Sequence, residues 1–290
     1  MDFKARMGKL GNRSRVALAV AVAVVAATAW GVPTVTGSIP ASHQNAAHGQ
    51  DGTADGHGGQ DGSQDGSQGS SQGSSQGSSG GTQQGGIPDG IAHASEAGGN
   101  AVNITIDDGP DPVWTPKVLD VLKRYGVKAT FCMIGPQAKA HPDLVKQVVA
   151  GGHRLCDHTV DHDTSMDKKP VAYQEKEILD AKKMIEEAAG GGAKVMYYRA
   201  PGGSFTPDSR RIAAANGMRP LGWNVDSKDF TRPGTAAIVD TVKKEIGNGP
   251  TILFHDGGGD RQQTVDALGQ VLGWLKEQGR PTGFPVQTAP

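Results

Sequence analysis

Short apolar runs alternate with amphipathic segments over the C-terminal two thirds of the chain. Six runs have the length of buried strands; they are Val102–Ile106, Ala129–Ile134, His153–Cys156, Val195–Tyr198, Pro220–Val225 and Thr251–Phe254. Helix signals separate them, because Thr115-Pro116 and Thr206-Pro207 each open a segment that a glycine closes, at Gly126 and Gly217. An apolar stripe predicts a further helix through Val265, Leu268, Leu272 and Leu275. Repeated strand-helix units predict a parallel sheet covered by helices, either a closed barrel or an open doubly wound sheet.

Groups of polar, glycine and proline residues directly follow the predicted strands. The groups read DDGPDP, DHTVDH, RAPGGS, DSKDF and HDGGGD in chain order. Active sites of barrels are built at the carboxyl ends of the strands. This placement favours a barrel over an open sheet.

The N-terminus carries a basic segment followed by an apolar run, the order that is typical of an export signal. Five Lys and Arg residues precede an uncharged run at 16–32. Ala27-Thr28-Ala29 offers a cleavage site, yet the run is also long enough to act as an uncleaved anchor. We predict an export signal or signal anchor over 1–36. The protein would then be exported, either secreted or held at the cell surface, and would touch a membrane only through this segment.

Residues 37–99 are dominated by Gly, Ser, Gln, Asp and His. Such a composition buries too little apolar surface to offset the conformational entropy of folding, so we predict a disordered tether. A flexible chain of this length spans roughly 45 Å on average. Residues 100–290 remain for a single catalytic domain, which we expect to be monomeric.

Net charge and cysteine content bear on two points, nucleic-acid binding and disulfide formation. The net charge of −1 gives no basic footprint, so nucleic acid is not expected as a partner. Cys132 and Cys156 each lie in an apolar run, where packing as buried free thiols is the default prediction. A single disulfide between them stays open, because export permits one.

His158 and His162 are four positions apart, a spacing that lets two imidazoles bind one metal ion. This spacing alone is weak evidence, because nine histidines in this chain produce such a pair by chance in roughly one chain in four. A carboxylate would complete a catalytic site with an open position for water. Asp107 and Asp108 supply that carboxylate at the end of a predicted strand.

Neighbouring side chains of an extended strand point apart, so the two aspartates are expected to differ in role. One would bind the metal while the other handles protons. The alternative for Asp107 and Asp108 is a solvated turn that leads into Gly109-Pro110.

Together the five polar groups resemble the motifs of the NodB-type polysaccharide deacetylases, carbohydrate esterase family four, in order and over residues 101–285. TIDDGP is similar to the first motif, which implies that Asp107 is the catalytic base and Asp108 a metal ligand. HTVDH is similar to the second motif, which implies that His158 and His162 complete the metal site.

The later motifs carry the supporting groups. RAPGG resembles the third motif, which implies that Arg199 orients the base and that the Gly202 N–H binds the oxyanion. The fourth motif implies that Asp226 pairs with the catalytic histidine. The fifth, Leu253-Phe254-His255, implies that Leu253 borders the acetyl-methyl pocket and that His255 is the general acid.

Two residues beside these motifs each have two interpretations from the sequence. Trp223 is expected to be core or pocket wall, and Asp229 a second orienting acid or a helix cap. The chain departs from the family pattern at Ile106, Gly202 and Phe230, where Phe, Tyr and Trp are usual. None of these changes removes a reacting group, but the missing tyrosine ring leaves the sugar-binding wall open to change.

The resemblance implies an α/β fold, a distorted and partly open β/α barrel of about seven parallel strands. It implies metal-dependent hydrolysis of N-acetyl groups on an extracellular GlcNAc polysaccharide, peptidoglycan or chitin oligomers, with release of acetate. The cofactor would be one divalent ion, zinc first, with cobalt or nickel as alternatives. Three other functions stay open: an O-deacetylase acting on acetylated xylan, an inactive carbohydrate-binding barrel, and a wall spacer in which the tether is the functional part.

Overall fold

The computed structural model describes residues 86–288. The predicted export signal and most of the predicted tether lie outside the described residues. Within 86–288, no helix combines the length and hydropathy needed to cross a bilayer.

A curled, all-parallel sheet forms the centre of the domain. Its strands are β1 (Val102–Asp107), β2 (Ala129–Met133), β3 (Arg154–Asp157), β4 (Val195–Tyr198), β5 (Arg219–Pro220), β6 (Val225–Asp226), β7 (Thr251–His255) and β8 (Thr282–Gly283). Seven of them lie in the order β5-β4-β3-β2-β1-β7-β6, and the short β8 pairs with the start of β1. The sheet is therefore an open half-barrel, which confirms the predicted α/β fold.

Helices connect the strands and cover the sheet. They are α1 (Trp114–Tyr125), α2 (Gly135–Ala140), α3 (Pro142–Ala150), α4 (Val171–Ala189), α5 (Pro207–Ala215), α6 (Thr235–Glu245) and α7 (Gln262–Glu277). The local signals act as expected: Gly126 ends α1 in the left-handed region with φ 67°, and Thr206 and Ser209 form a capping box at the start of α5. The apolar stripe of α7 is buried. All three predicted helices are confirmed.

The prediction of one strand over Pro220–Val225 is wrong. The segment makes two short strands at opposite edges of the sheet: Pro220 pairs with Tyr198 on β4, and Val225 pairs with Ile252 on β7. The sheet is open between β5 and β6, so this run of chain crosses the opening and reaches both edges. Apolar residues of this segment are buried at both edges of the sheet. In the sequence they form one continuous run, which looks the same as a single strand.

Residues 86–99, which we call the N-terminal strap, pack against the domain. The Ala92 N–H donates to the Pro220 carbonyl at 2.8 Å, and the Gly222 N–H donates to the Ala92 carbonyl at 3.0 Å. Glu96 forms an ion pair with Arg154 at 2.7 Å. The folded domain therefore starts earlier than residue 100. The sequence pattern does not indicate this, because the strap is held mainly by backbone hydrogen bonds and contains few apolar side chains.

Cys132 and Cys156 form a disulfide. They lie opposite each other in the register of β2 and β3, and both are fully buried. The default prediction of two free thiols is wrong because the register of the two strands, which the sequence does not specify, places the sulfurs side by side.

Strand register also brings the chemical groups together. Asp107, the last residue of β1, pairs with His255, the last residue of β7. His158 directly follows β3, and Arg199 directly follows β4. Because the strands are parallel, their carboxyl ends meet at one rim of the half-barrel.

Candidate active site and metal centre

Asp108, His158 and His162 come together as the sequence predicts. Each offers one ligand atom, and the three atoms lie within 4.8 Å of one another. Asp108 Oδ1 is 3.2 Å from His162 Nε2 and 3.6 Å from His158 Nε2. This oxygen is buried and accepts no hydrogen bond of good geometry. A buried carboxylate oxygen that faces two imidazole nitrogens fits a divalent metal ion.

The ring of His158 is oriented by the main chain. Its Nδ1 lies 2.8 Å from the Arg199 carbonyl, and because a carbonyl only accepts, Nδ1 carries the proton. The Nε2 lone pair is then left for the metal site, an arrangement that is common among metal-binding histidines. Burial lowers the pKa of His158, which favours the neutral ring that a metal ligand requires.

A loop in an unusual backbone conformation presents His162. Thr159 and His162 both have positive φ, at 68° and 52°, and for a β-branched threonine this is a strained conformation. Hydrogen bonds hold the loop: Thr159 N–H donates to Asp157 Oδ1 at 2.7 Å, and His162 N–H donates to Thr159 Oγ1 at 3.2 Å. The buried side chain of Asp157 therefore holds the first residues of the loop in place.

Glu177 on α4 is a further anchor of this loop, which sequence analysis missed. Its Oε2 accepts the N–H groups of Val160 and Asp161 at 3.0 and 2.8 Å. The side chain is 5% exposed. An acid at a buried position of an amphipathic helix was the one signal in the sequence that could have indicated it.

The Asp108 main chain is also held in place. Its φ is 77°, and its N–H donates to the Cys132 carbonyl at 3.2 Å. A side chain at Gly257 would come within 2.3 Å of the Asp108 carbonyl, so only glycine permits this approach. Burial raises the pKa of Asp108, but the close approach of the His162 imidazole and the charges of the nearby histidines outweigh it and lower the pKa overall. Asp108 is therefore an ionised carboxylate.

Asp107 is held by a fully buried arginine. Arg199 Nη1 donates to Asp107 Oδ1 at 2.7 Å. The other guanidinium donors bond Thr105 Oγ1 and the carbonyls of Leu221 and Gly222 at 2.9 to 3.1 Å. A buried ion pair of this kind is stable only when further hydrogen bonds accompany it, and Arg199 makes three of them here. The second Asp107 oxygen lies 3.6 Å from His158 Nε2, so the carboxylate faces the metal-ligand group.

His255 is paired with Asp229. His255 Nδ1 lies 2.6 Å from Asp229 Oδ1, and the His255 N–H donates to Asp229 Oδ2 at 2.9 Å. Thr264 Oγ1 also donates to Oδ2, at 2.8 Å. Burial lowers the pKa of His255, but the Asp229 carboxylate more than reverses this and raises the pKa to about 9. His255 is therefore protonated at neutral pH.

The prediction that Asp226 pairs with His255 is wrong. Asp226 lines the pocket but accepts hydrogen bonds from the Nζ and N–H of Lys228, at 2.6 and 3.0 Å. Asp226 ends β6, and a turn with Lys228 at φ 57° directly follows it. That turn brings Asp229 to His255. The alternative reading of Asp229 as an orienting acid is the one that agrees with the geometry.

A pocket of about 360 Å³ joins these groups. Leu253 and Trp223 form part of its wall, and Gly202 lies in it with φ 59°, within the turn Pro201–Gly203. Phe230, which is 46% exposed, lies edge-on to the His255 ring at 5.6 Å. Thr164, which sequence analysis did not indicate, also lines the pocket. The pocket thus has the metal-ligand group and His255 on its wall, with apolar side chains beside them.

Comparison with known proteins assigns the family. The family model described as polysaccharide deacetylase matches residues 94–221. A peptidoglycan-N-acetylglucosamine deacetylase of Bacillus cereus is 41% identical over 183 residues, covering 61% of this chain and 83% of that protein. This chain belongs to the polysaccharide deacetylase family. A chitooligosaccharide deacetylase of Sinorhizobium fredii is 38% identical over 197 residues, covering 64% of this chain and 90% of that protein.

A solved structure extends the similarity to three dimensions. The family 4 carbohydrate esterase from Streptomyces lividans, in complex with acetate, is 31% identical with a TM-score of 0.58. The match covers 63% of this chain and 92% of that chain. The protein is thus a NodB-type polysaccharide deacetylase, a hydrolase of carbohydrate esterase family four.

Proposed function

We propose that this polysaccharide deacetylase removes N-acetyl groups from GlcNAc units of an extracellular polysaccharide, peptidoglycan or chitin oligomers, and releases acetate. The observation that carries the proposal is the pocket in which Asp108, His158 and His162 lie together with His255, whose Nδ1 is 2.6 Å from Asp229 Oδ1. The relatives named as peptidoglycan and chitooligosaccharide deacetylases support the substrate class.

A divalent ion would be held by Asp108, His158 and His162, with zinc the first candidate and cobalt or nickel the alternatives. When bound there, the ion supplies a positive charge that lowers the pKa of water and polarises a carbonyl oxygen. The donor set of two imidazoles and one carboxylate leaves room for such exogenous ligands.

Asp107 would act as the general base. Arg199 fixes one of its oxygens, and the other faces the metal-ligand group, where an attacking water would lose its proton. The Gly202 N–H would donate to the oxyanion that forms on the acetyl carbonyl. Leu253 and Trp223 would enclose the acetyl group and the sugar.

His255 would act as the general acid. An amide nitrogen leaves only after it has gained a proton, because the amine anion is a very poor leaving group. Asp229 holds Nδ1 and keeps the imidazolium charged, so Nε2 can donate that proton. Asp107 and His255 thus divide the base and acid roles between adjacent strands.

Acetate release by the full chain tests the proposal. Chitin oligomers, peptidoglycan and acetylated xylan are compared with zinc or cobalt added, and we expect acetate from the GlcNAc substrates. Asp107→Asn should remove this activity, and a chelator should remove it reversibly. Acetate from acetylated xylan alone would replace the proposal by O-deacetylation, and full activity of Asp107→Asn would overturn the site.

We further propose that the protein acts outside the cell, secreted or anchored by its N-terminal segment, and that its catalytic domain is monomeric. The basic segment and apolar run within 1–36 support export. Fractionation of producing cells and N-terminal sequencing of the mature chain test this. A cytoplasmic protein with an intact N-terminus would contradict it.

A further inference from the structure

The N-terminal strap pairs with the segment 220–222, which lies where the half-barrel is open between β5 and β6. Ala92, which is 2% exposed, bridges in parallel to Leu221. Its N–H donates to the Pro220 carbonyl at 2.8 Å, and its carbonyl accepts the Gly222 N–H at 3.0 Å. The Leu221 N–H donates in the other direction, to the Tyr198 carbonyl on β4 at 2.8 Å. The segment 220–222 is thus held between β4 and the strap.

The same segment fixes the arginine that holds the proposed general base. The Leu221 carbonyl accepts Arg199 Nε at 3.1 Å, and the Gly222 carbonyl accepts Arg199 Nη2 at 3.0 Å. Arg199 Nη1 in turn donates to Asp107 Oδ1 at 2.7 Å. Because Arg199 is fully buried, movement of either carbonyl would leave a buried charged donor without its partner. A continuous series of hydrogen bonds therefore runs from the strap to Asp107.

A close steric fit at Gly222 sets the distance between the strap and this segment. A Cβ atom at Gly222 would lie 2.3 Å from His93 Nε2 and 2.9 Å from Ile91 Cγ2. Thr251 Oγ1 holds the strap at the same place by donating to the His93 carbonyl at 2.7 Å. Burial lowers the pKa of His93, and the charge of Arg199 adds to this, so the ring that faces Gly222 is neutral. Glycine at 222 is therefore what permits the two backbones to approach.

We propose that the N-terminal strap positions the proposed general base: it fixes Gly222, which fixes Arg199, which in turn fixes the Asp107 carboxylate. Ala92 and the residues beside it are then positioning residues, which act on the reaction without touching the substrate. The proposal rests on the proposed function, because it requires Asp107 to act as the base.

The metal-ligand group has supports of its own. The Asp108 N–H donates to the Cys132 carbonyl at 3.2 Å, and the loop that carries His162 is held by Asp157 and Glu177. These supports belong neither to the strap nor to the segment 220–222. Displacement of the strap should therefore lower turnover while metal binding persists, a combination that general unfolding does not produce.

Gly222→Ala in the full chain tests the positioning. The added methyl group meets the His93 ring, so either the strap or the Gly222 carbonyl must move. A misplacement of about 1 Å can lower a rate by roughly 10²-fold, and we expect kcat for acetate release to fall by about 10- to 10²-fold with zinc per chain unchanged. Ile91→Ala and His93→Ala together remove both atoms that the methyl group would meet. Adding them to Gly222→Ala should restore kcat to the value of the Ile91→Ala/His93→Ala protein.

Gly151→Ala is the matched control. Its methyl group would also meet a histidine, at 2.7 Å from His153 Cδ2, but Gly151 follows α3 and lies outside the active-site pocket. We expect wild-type kcat in this variant, and thermal unfolding compares its stability with that of Gly222→Ala. An equal loss of kcat in the two variants would overturn the positioning.

Ala92→Pro tests the same link without a change at Gly222. Proline lacks the N–H that donates to the Pro220 carbonyl, so kcat should again fall while zinc is retained. Wild-type kcat in folded Gly222→Ala or Ala92→Pro protein would overturn the role of the strap and leave the proposed function intact. Absence of acetate from every substrate with the wild-type chain would overturn both.

Discussion

Histidine and carboxylate side chains lie close together in two regions of the pocket, and the Nδ1 atoms of the histidines have different partners in the two regions. On one side, the Nε2 atoms of His158 and His162 both lie near Asp108 Oδ1, and His158 Nδ1 is hydrogen-bonded to an uncharged carbonyl. On the other side, His255 Nδ1 lies 2.6 Å from the charged carboxylate of Asp229.

The difference shows in the pKa values. Burial lowers the pKa of His158, whereas Asp229 overcomes burial and raises the pKa of His255 to about 9. The partner of Nδ1 therefore decides what a buried histidine can do. A carbonyl partner leaves a neutral ring suited to a metal, and a carboxylate partner leaves a charged ring suited to donating a proton.

Removal of a metal ligand should have the largest effect. His158→Ala leaves one imidazole and one carboxylate, so we expect acetate release to fall by at least about 10³-fold, more than the loss of an oxyanion donor. Bound zinc per chain, measured after dialysis, should fall in parallel. His141→Ala is the control, because His141 lies at the junction of α2 and α3 outside the pocket. Retained zinc and activity in His158→Ala would refute the metal site.

Asp229→Asn should come next, with kcat lower by about 10²–10³-fold. In the wild-type protein, His255 must be protonated to donate, so activity should fall as pH rises through about 9. Without the carboxylate, burial still lowers the pKa of His255. The basic limb of the pH profile should therefore move to lower pH in the variant, and an identical limb in both proteins would argue against His255 as the acid.

Glu177→Gln should weaken metal binding, although Glu177 is not itself one of the metal-ligand residues. The amide retains one acceptor but loses the charge that holds the Val160 and Asp161 N–H groups. We expect metal affinity to fall about tenfold, the lower end of what supporting residues contribute. Titration calorimetry with zinc measures this directly.

Glu186→Gln provides the matched control for Glu177. Glu186 lies on the same helix and accepts hydrogen bonds from the Val195 N–H and Lys182, away from the pocket. It should bind zinc as the wild type does. Equal losses in both variants would point to a general weakening of α4 instead of an effect on the loop.

Asp226→Asn should have the smallest effect on catalysis. Asp226 pairs with the half-exposed Lys228 and not with His255, and such pairs contribute little, so kcat should change by less than about threefold. Because Asp226 lines the pocket, a larger effect would be confined to KM. A loss of kcat as large as that of Asp229→Asn, with a shifted basic limb, would restore Asp226 as the partner of His255.

Much of the site could be predicted because its groups directly follow strands. Asp107, Asp108, His158, Arg199 and His255 each end a strand or follow one, and parallel strands bring such positions to one rim. The apolar runs, the proline and glycine helix signals and the motif order were local features. They fixed the fold class and most of the groups that lie in the pocket.

Residues that act across the fold could not be predicted in the same way. Glu177 reaches the loop from α4, Asp229 reaches His255 after a turn, and Ala92 pairs with Leu221 across a long stretch of sequence. The Cys132–Cys156 bond depends on strand register. None of these contacts produces a periodic pattern in the nearby sequence, so a local sequence pattern does not reveal them.

The sequence by itself determined which chemical groups are present and at which strand ends they lie, since apolar periodicity and turn residues are local properties. Only the tertiary structure decided their pairings. Asp226 and Asp229 are three residues apart and chemically identical, and one turn at Lys228 assigns the second to His255. Burial and the identity of each Nδ1 partner then give the histidines different protonation states, because a charge in a buried site is stable only beside its counter-charge.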